Sequence, residues 1–343
     1  MTSTAFARLT AAVSVLALCV ILLGAYVRLS DAGLGCPDWP GCYGHLVAPT
    51  SEHAVAAANE AHPARPVHTG KAWKEMVHRY LAGSLGLAIL ALAVIAWRNR
   101  GRGLPVVLPT LLVGLVAVQA LLGMWTVTLL VNPAIVTAHL AGGVATLALL
   151  WWLTLRQGGL RSGPVAAGSA SLRPWAIGGL LVVVGQILLG GWTSSNYAAL
   201  ACTDFPTCHS GQWWPAADFA EGFTLWRPLG VDYEFGVLDS PARTAVHLAH
   251  RLGAVVVALY VGTLGVLVVR NAASAVERRV GLALLAILAL QIALGITNVV
   301  GQLPLPVAVA HNGGAALLLL SLLSLVRLLT PQSVGRRDAR AAP

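Results

Sequence analysis

Eight long apolar segments constrain the fold of this chain more than any other feature. Hydrophobic residues make up 57% of its 343 residues and charged residues only 10%, whereas a soluble domain carries roughly 25% charged residues. Each segment is long enough to cross a bilayer as a helix, and none alternates as a membrane β-strand does. The sequence therefore predicts an all-α integral membrane protein with eight transmembrane helices. The expected spans are 9–29, 74–97, 104–128, 136–155, 174–194, 243–269, 280–299 and 306–329.

Arginine is concentrated in the connections on one side of this eight-helix topology. Examples are Arg98, Arg100, Arg102, Arg278 and Arg279. By the positive-inside rule, both termini are expected in the cytoplasm and the long connections 30–73 and 195–242 outside it. Topology accounts for the basic charge, so we expect no nucleic-acid partner.

The chain contains the same unit twice. One alignment of the second half on the first places His250-Arg251 on His78-Arg79 and His311 on His139. We call it the histidine alignment. Four helices per unit return the chain to the same side of the membrane, so we expect parallel repeats. Each unit is long enough for a four-helix bundle, a common site for cofactors.

The repeat also sets the expected domain boundaries. These are an N-terminal half at 1–157, a cytoplasmic linker at 158–173 and a C-terminal half at 174–343. The first apolar segment could be taken for a cleaved signal peptide, but its repeat partner lies in the middle of the chain. We therefore expect this segment to remain in the mature protein.

Four histidines are the candidate cofactor ligands. His78 and His139 lie near the outer ends of their helices, and His250 and His311 occupy the same places in the second half. Two histidines facing each other across a bundle suit a bis-imidazole haem. Zinc is the weaker interpretation, because it would need further protein ligands nearby. A single intramembrane histidine is often a packing residue, and it is the duplication that favours ligation.

Charged neighbours of these histidines suggest further roles. Arg79 and Arg251 directly follow a candidate ligand, and they could bind haem propionates, supply charge near a haem, or extend to lipid headgroups. Glu75 lies one turn before His78, and its repeat counterpart is His247. Glu75 could relay protons beside a macrocycle, or it could pair with a cation at the outer surface.

Two cysteine pairs lie in the long outer connections. A second alignment of the halves, which we call the cysteine alignment, is slightly offset from the first and places Cys202 and Cys208 on Cys36 and Cys42. On the outer side of a membrane such pairs can form disulfides, and we expect one bridge within each loop. A four-cysteine metal site would require the two loops to meet. Redox exchange by the first pair stays open. Cys19, alone inside the first helix, is expected to be a packing residue.

Taken together, these motifs resemble those of the heme A synthase family. The residues that carry the resemblance are Glu75-Met-Val-His78-Arg79, Thr137-Ala-His139-Leu, His250-Arg251, Ala310-His311-Asn and Gly35-Cys36-Pro-Asp-Trp-Pro-Gly-Cys42. The resemblance covers about residues 10–330. It implies a bacterial inner-membrane oxidoreductase that converts a methyl group of haem O to the formyl group of haem A through a hydroxylated intermediate.

The resemblance also implies a role for each candidate residue. His250 and His311 would ligate a resident haem b as cofactor, with Arg251 beside it. His78 and His139 would face the substrate haem O, with Arg79 beside it and Glu75 as the catalytic carboxylate. Implied partners are the lipid bilayer, haem O synthase, other cytochrome oxidase assembly proteins and a second copy of the chain.

Three other functions compete with this interpretation. A di-haem cytochrome b for electron transfer would use the same four histidines without chemistry on the haem. A transporter would be expected to contain a broken helix pair near the midplane, and none is visible in the sequence. A purely structural assembly factor leaves the matched histidines unexplained.

Overall fold

The computed structural model describes residues 2–158 and 167–330, and within them eight helices are long and apolar enough to cross a membrane. This confirms the predicted all-α class and the eight spans. The eight helices, named α1 to α8 in chain order, are Ser3–Leu29, Thr69–Arg98, Val107–Thr128, Pro133–Gln157, Arg173–Ser195, Ser240–Asn271, Ala275–Val300 and Leu305–Leu328. The described residues also form four shorter helices, which are Glu52–Ala61, Arg100–Arg102, Ala167–Ala170 and Phe219–Gly222. Residues 159–166 of the expected linker and residues 331–343 lie outside the described part.

Five of the long helices, α2 and α6 among them, begin three to six residues before the apolar segments that predicted them. The side chain of His68 accepts a hydrogen bond from the backbone N–H of Lys71 (3.3 Å), and that of Asp239 accepts one from Ala242 (2.9 Å). Such caps satisfy N–H groups that the first turn leaves without partners. Hydropathy marks only the apolar part of a helix, so it could not locate these starts.

The helices contact one another in two rings. In the first ring α1 contacts α2, α2 contacts α3, α3 contacts α4, and α4 returns to α1; α5 to α8 repeat this order. Contacts between the rings join α1 to α8, α4 to α5 and α4 to α8. Helices α2 and α4 therefore lie opposite each other in the first ring, as α6 and α8 do in the second.

Each ring encloses its own apolar core. Phe6, Ile89, Leu112 and Leu147 are fully buried in the first core, which also receives Ala316 from α8. Val261, Leu284 and Leu319 belong to the second core. Large apolar side chains on the outward faces, such as Leu87, are exposed, as expected for surfaces that contact lipid.

Both long connections fold onto the same end of the helices, which we call the loop face. It is formed by the last residues of α1, α3, α5 and α7, the first residues of the other four helices, and residues 30–68 and 196–239. Cys36–Cys42 and Cys202–Cys208 form a disulfide in each connection, as expected from the sequence. The expectation for Cys19 was wrong, because its side chain is exposed on the outward face of α1.

Candidate functional site

The four candidate histidines form one layer beneath the loop face. His139 and His311 are each the seventh residue of their helix, and His78 and His250 are the tenth and eleventh. At a rise of 1.5 Å per residue these positions lie roughly 9–15 Å from the helix starts. The imidazoles therefore lie about two to three turns from the helix starts.

Each imidazole packs against a glycine of the neighbouring helix. A Cβ atom added at Gly24 would come within 2.9 Å of Cε1 of His78, and one at Gly190 within 3.2 Å of Cε1 of His250. A Cβ atom at Gly123 would come within 3.4 Å of Cε1 of His139, and one at Gly295 within 3.2 Å of Cε1 of His311. All four glycines lie five residues before the end of their helix. The missing side chains leave room for the rings, so these glycines fix where the histidines can lie.

Within each ring the two histidines belong to opposite helices. His78 lies on α2 and His139 on α4, and His250 lies on α6 and His311 on α8. The four residues are only partly buried. The Nδ1 atoms of His78, His139 and His311 are buried without a hydrogen-bond partner among the described residues. Nε2 of His311 lies 3.4 Å from the amide nitrogen of Gln291.

This donor set fits a planar macrocycle with one imidazole on each side. Haem iron is held by axial ligands of this kind. No group of three or more His, Cys, Asp or Glu side chains gathers in residues 2–158 and 167–330 in a way that could hold a metal ion. The four cysteines form disulfides, so they do not form the four-cysteine metal site considered above.

Glu75 joins the first disulfide loop to the histidine layer. Its side chain is buried, and its Oε2 accepts a hydrogen bond from the backbone N–H of Cys36 (2.8 Å). Its Oε1 pairs with the guanidinium of Arg79. Gly35 permits this close approach, because a Cβ there would lie 2.6 Å from the backbone carbon of Lys71. The cationic partner is thus Arg79, but the pair is buried and not at the outer surface.

Arg79 also holds the first disulfide loop. Besides Glu75, it donates to carbonyl oxygens inside the loop. These acceptors are Asp38 (2.9 Å), Pro40 (3.3 Å) and Gly41. A charged donor shared among several carbonyls anchors the loop more strongly than neutral hydrogen bonds would.

His247 and Arg251 do the same for the second loop. Nδ1 of the buried His247 accepts a hydrogen bond from the backbone N–H of Cys202 (3.0 Å). Nε of Arg251 lies 3.3 Å from Nε2 of His247, and the guanidinium donates to the carbonyl oxygens of Cys202 (3.1 Å), Asp204 and Thr207 (both 2.8 Å). Glu75 and His247 therefore share one structural role, although only Glu75 carries a carboxylate.

Sequence reasoning missed one residue of this layer, Gln186. Its Nε2 lies 3.1 Å from Nδ1 of His250 and donates to the carbonyl oxygen of the same residue (2.9 Å). The repeat contained a signal, because the cysteine alignment places Gln186 on Val20. A polar residue in one copy against an aliphatic one in the other marks a difference between the halves.

The amino-acid sequence of this chain is similar to those of known membrane proteins. Residues 7–323 match the family described as cytochrome oxidase assembly protein. A heme A synthase of Shewanella oneidensis is 47% identical over 311 residues, which cover 91% of this chain and 92% of that protein. A heme A synthase of Caulobacter vibrioides is 28% identical over 329 residues, which cover 90% and 91% of the two chains. A third, from Halalkalibacterium halodurans, is 28% identical over 201 residues, or 57% of this chain and 61% of its own. The family match includes all four histidines of the layer.

Proposed function

This chain belongs to the cytochrome oxidase assembly protein family, and on that basis we propose how its residues act in a membrane oxidoreductase whose substrate is haem O. Its activity is that of a heme A synthase, the name its relatives carry. The observation that carries the proposal is the layer of four histidines, each packed on a glycine and paired across a helix ring. In the reaction a ring methyl group becomes a formyl group, by way of a hydroxylated intermediate.

The two halves take different haems in this proposal. Residues 1–157 bind the substrate haem O between His78 and His139. Residues 174–343 hold haem b between His250 and His311, and residues 158–173 link the halves. The support is the fit of each pair to a planar ligand: the two histidines lie on opposite helices, and in three of the four rings Nδ1 is buried. Nε2 is the proposed ligand atom of each ring. Haem b, when bound, supplies a one-electron redox centre.

Glu75 is the proposed catalytic carboxylate of the first half. It lies three residues before His78 on the same helix face, and its carboxylate is buried next to Arg79. A carboxylate held in this position can accept a proton at Oε1 or Oε2 as the substrate methyl group is oxidised. The second half has His247 at this position, so it offers no carboxylate there.

Arg79 and Arg251 contribute positive charge in this proposal. Arg79 pairs with Glu75, Arg251 contacts His247, and both arginines donate hydrogen bonds to loop carbonyls. Each arginine directly follows a proposed ligand histidine in the chain, and its charge would favour binding of the haem propionates. The disulfide loops that these arginines anchor then cover the two haem sites at the loop face.

The proposed location is the bacterial inner membrane, with both termini in the cytoplasm and the disulfide loops outside. The arginine-rich connections support this orientation through the positive-inside rule. Haem O synthase is the proposed source of the substrate. Other cytochrome oxidase assembly proteins and a second copy of the chain are further proposed partners.

Pigment analysis tests this function directly. The chain is expressed with and without a haem O synthase, and extracted haems are identified by chromatography. We expect haem A, or its hydroxylated precursor, only when haem O is supplied. Haem B alone under both conditions would instead favour the electron-transfer cytochrome b.

A matched pair of variants tests Glu75 in the same assay. Glu75→Gln keeps a hydrogen-bond acceptor for the Cys36 N–H but removes the charge, and we expect it to lose haem A formation. Glu277→Gln is the control, because Glu277 is equally buried but lies near the opposite end, where it accepts from Ser169 (3.0 Å) and Ala273 (2.8 Å). Normal haem A yield with Glu75→Gln would remove Glu75 from the proposal.

A further inference from the structure

The first histidine of each half is His78 or His250. The residues next to Nδ1 of its imidazole ring differ between the halves. In the second half the amide of Gln186 contacts Nδ1 of His250 at 3.1 Å. Gln186 lies one turn before Gly190 on α5, so both residues face the same imidazole. The amide has room because residue 253 is glycine, and a Cβ at Gly253 would overlap the Gln186 side chain.

In the first half both of these positions are aliphatic. The cysteine alignment places Gln186 on Val20, and the histidine alignment places Gly253 on Leu81. Val20 is buried in the apolar core of the first ring, and Leu81 packs against that core. Nδ1 of His78 is buried and has no hydrogen-bond partner among the described residues.

The second histidine of each half shows no such difference. Gln119 lies against Gly142 in the first half, and Gln291 lies against Gly314 in the second. These pairs coincide in the histidine alignment. The residue types at these positions are therefore the same in both halves, although Nε2 of Gln291 lies 3.4 Å from Nε2 of His311 and Nε2 of Gln119 has no hydrogen-bond partner among the described residues.

A partner at Nδ1 changes how well a histidine holds a metal. A metal-bound histidine almost always donates its second ring N–H to an acceptor, and losing that acceptor typically weakens metal binding by about 10- to 100-fold. In the structure the amide nitrogen of Gln186 faces Nδ1 of His250, and Oε1 has no hydrogen-bond partner among the described residues. Turning this amide over offers Oε1 as the acceptor that an Nδ1–H of an iron-bound His250 needs. A protonated Nδ1 in His78 would instead face apolar groups, which is costly.

We propose that Gln186, packed against Gly253, is a positioning residue that fixes His250 so that the C-terminal haem is retained. Val20 and Leu81 leave His78 as a weaker ligand, which suits a substrate haem that must enter and leave. This inference rests on the proposed function, because it assigns the resident haem to the second half and the exchanging haem to the first.

Haem release to excess apomyoglobin, followed by visible absorption, tests the inference. The full-length chain carries His139→Ala, so that His250 and His311 are its only complete pair. In this background Gln186→Met keeps the side-chain length and removes the amide. We expect haem release to become about 10-fold faster or more, with a shifted low-spin EPR signal that reports the changed imidazole. Gln302→Met is the control, because Gln302 lies in the turn before α8 and its amide donates to Val299 (3.3 Å).

The reciprocal change tests the same idea if Gln186→Met does not fold. Val20→Gln with Leu81→Gly, in a His311→Ala background, should slow haem release from the first half by a similar factor. Unchanged release and an unchanged EPR signal in Gln186→Met would overturn the inference and leave the proposed function intact. If Gln186→Met is not obtained folded, unchanged release in the reciprocal variant overturns it. A wild-type chain that binds no haem at all would overturn both.

Discussion

Replacing Glu75 by histidine separates its structural role from its proposed chemical role. The structure supplies the template, because His247 accepts the Cys202 N–H at 3.0 Å, as Glu75 accepts the Cys36 N–H at 2.8 Å. Glu75→His should therefore keep the first disulfide loop anchored while removing the carboxylate. Both Glu75→His and Glu75→Ala remove the counter-ion of Arg79, but only Glu75→His keeps a partner for the Cys36 N–H. We therefore expect the free energy of unfolding of Glu75→His to fall by about 1–3 kcal/mol less than that of Glu75→Ala.

Glu75→Ala should behave differently. It leaves the Cys36 N–H without a partner and Arg79 as a buried charge that has lost its counter-ion. The loss of the ion pair is common to both variants, and the buried N–H left without a partner adds about 1–3 kcal/mol in Glu75→Ala. Loss of activity in Glu75→Ala would therefore mix loop disruption with lost chemistry, whereas Glu75→His isolates the chemistry.

Two measurements on the same preparations check this reasoning. The free energy of unfolding is obtained from denaturant titration in mixed micelles, with helix content followed by circular dichroism. Haem A yield is measured by chromatography, and removal of a general base should lower it by about 100-fold or more in both variants. Haem A at the wild-type level in Glu75→His would refute the catalytic role. Equal stability of Glu75→Ala and Glu75→His would refute the anchoring argument.

Three further predictions concern the second half. Gly190→Ala places a Cβ 3.2 Å from the His250 ring and should reduce bound haem b in absorption spectra, whereas Gly185→Ala, on the same helix with open space around it, should not. Arg251→Gln removes charged hydrogen bonds to three loop carbonyls and should lower the free energy of unfolding by about 3 kcal/mol, which a denaturant titration would detect. Replacing Cys202 and Cys208 by serine should cost about 2 kcal/mol by the same measurement, because the bridge closes only a short loop.

Several features of the fold and the site could be predicted because they repeat along the chain. Apolar length identified the eight spans, since a helix needs about 20 apolar residues to cross a bilayer. The matched positions of His78 and His250, and of His139 and His311, identified the candidate ligands. The loop disulfides followed from two similarly spaced cysteine pairs in connections expected outside the cytoplasm.

The partners of these residues could not be predicted in the same way. Glu75 was expected to act either as a proton relay or in a surface ion pair, and its hydrogen bond to the Cys36 N–H was not anticipated. Arg79 was considered for propionates or headgroups, yet its hydrogen bonds go to the first disulfide loop. In both cases the side chain satisfies backbone groups of a loop whose path only the folded chain defines.

The sequence by itself therefore determined the membrane class, the number of spans, the duplication and the four histidines, because these are properties of local composition and repeated spacing. Only the tertiary structure decided that each histidine lies on a glycine, that Glu75 and His247 hold equivalent loops, and that Gln186 contacts His250. The physical reason is distance along the chain. The Glu75–Cys36 bond joins residues 39 apart and the Gln186–His250 contact residues 64 apart, and such contacts depend on how helices pack, which no local pattern encodes.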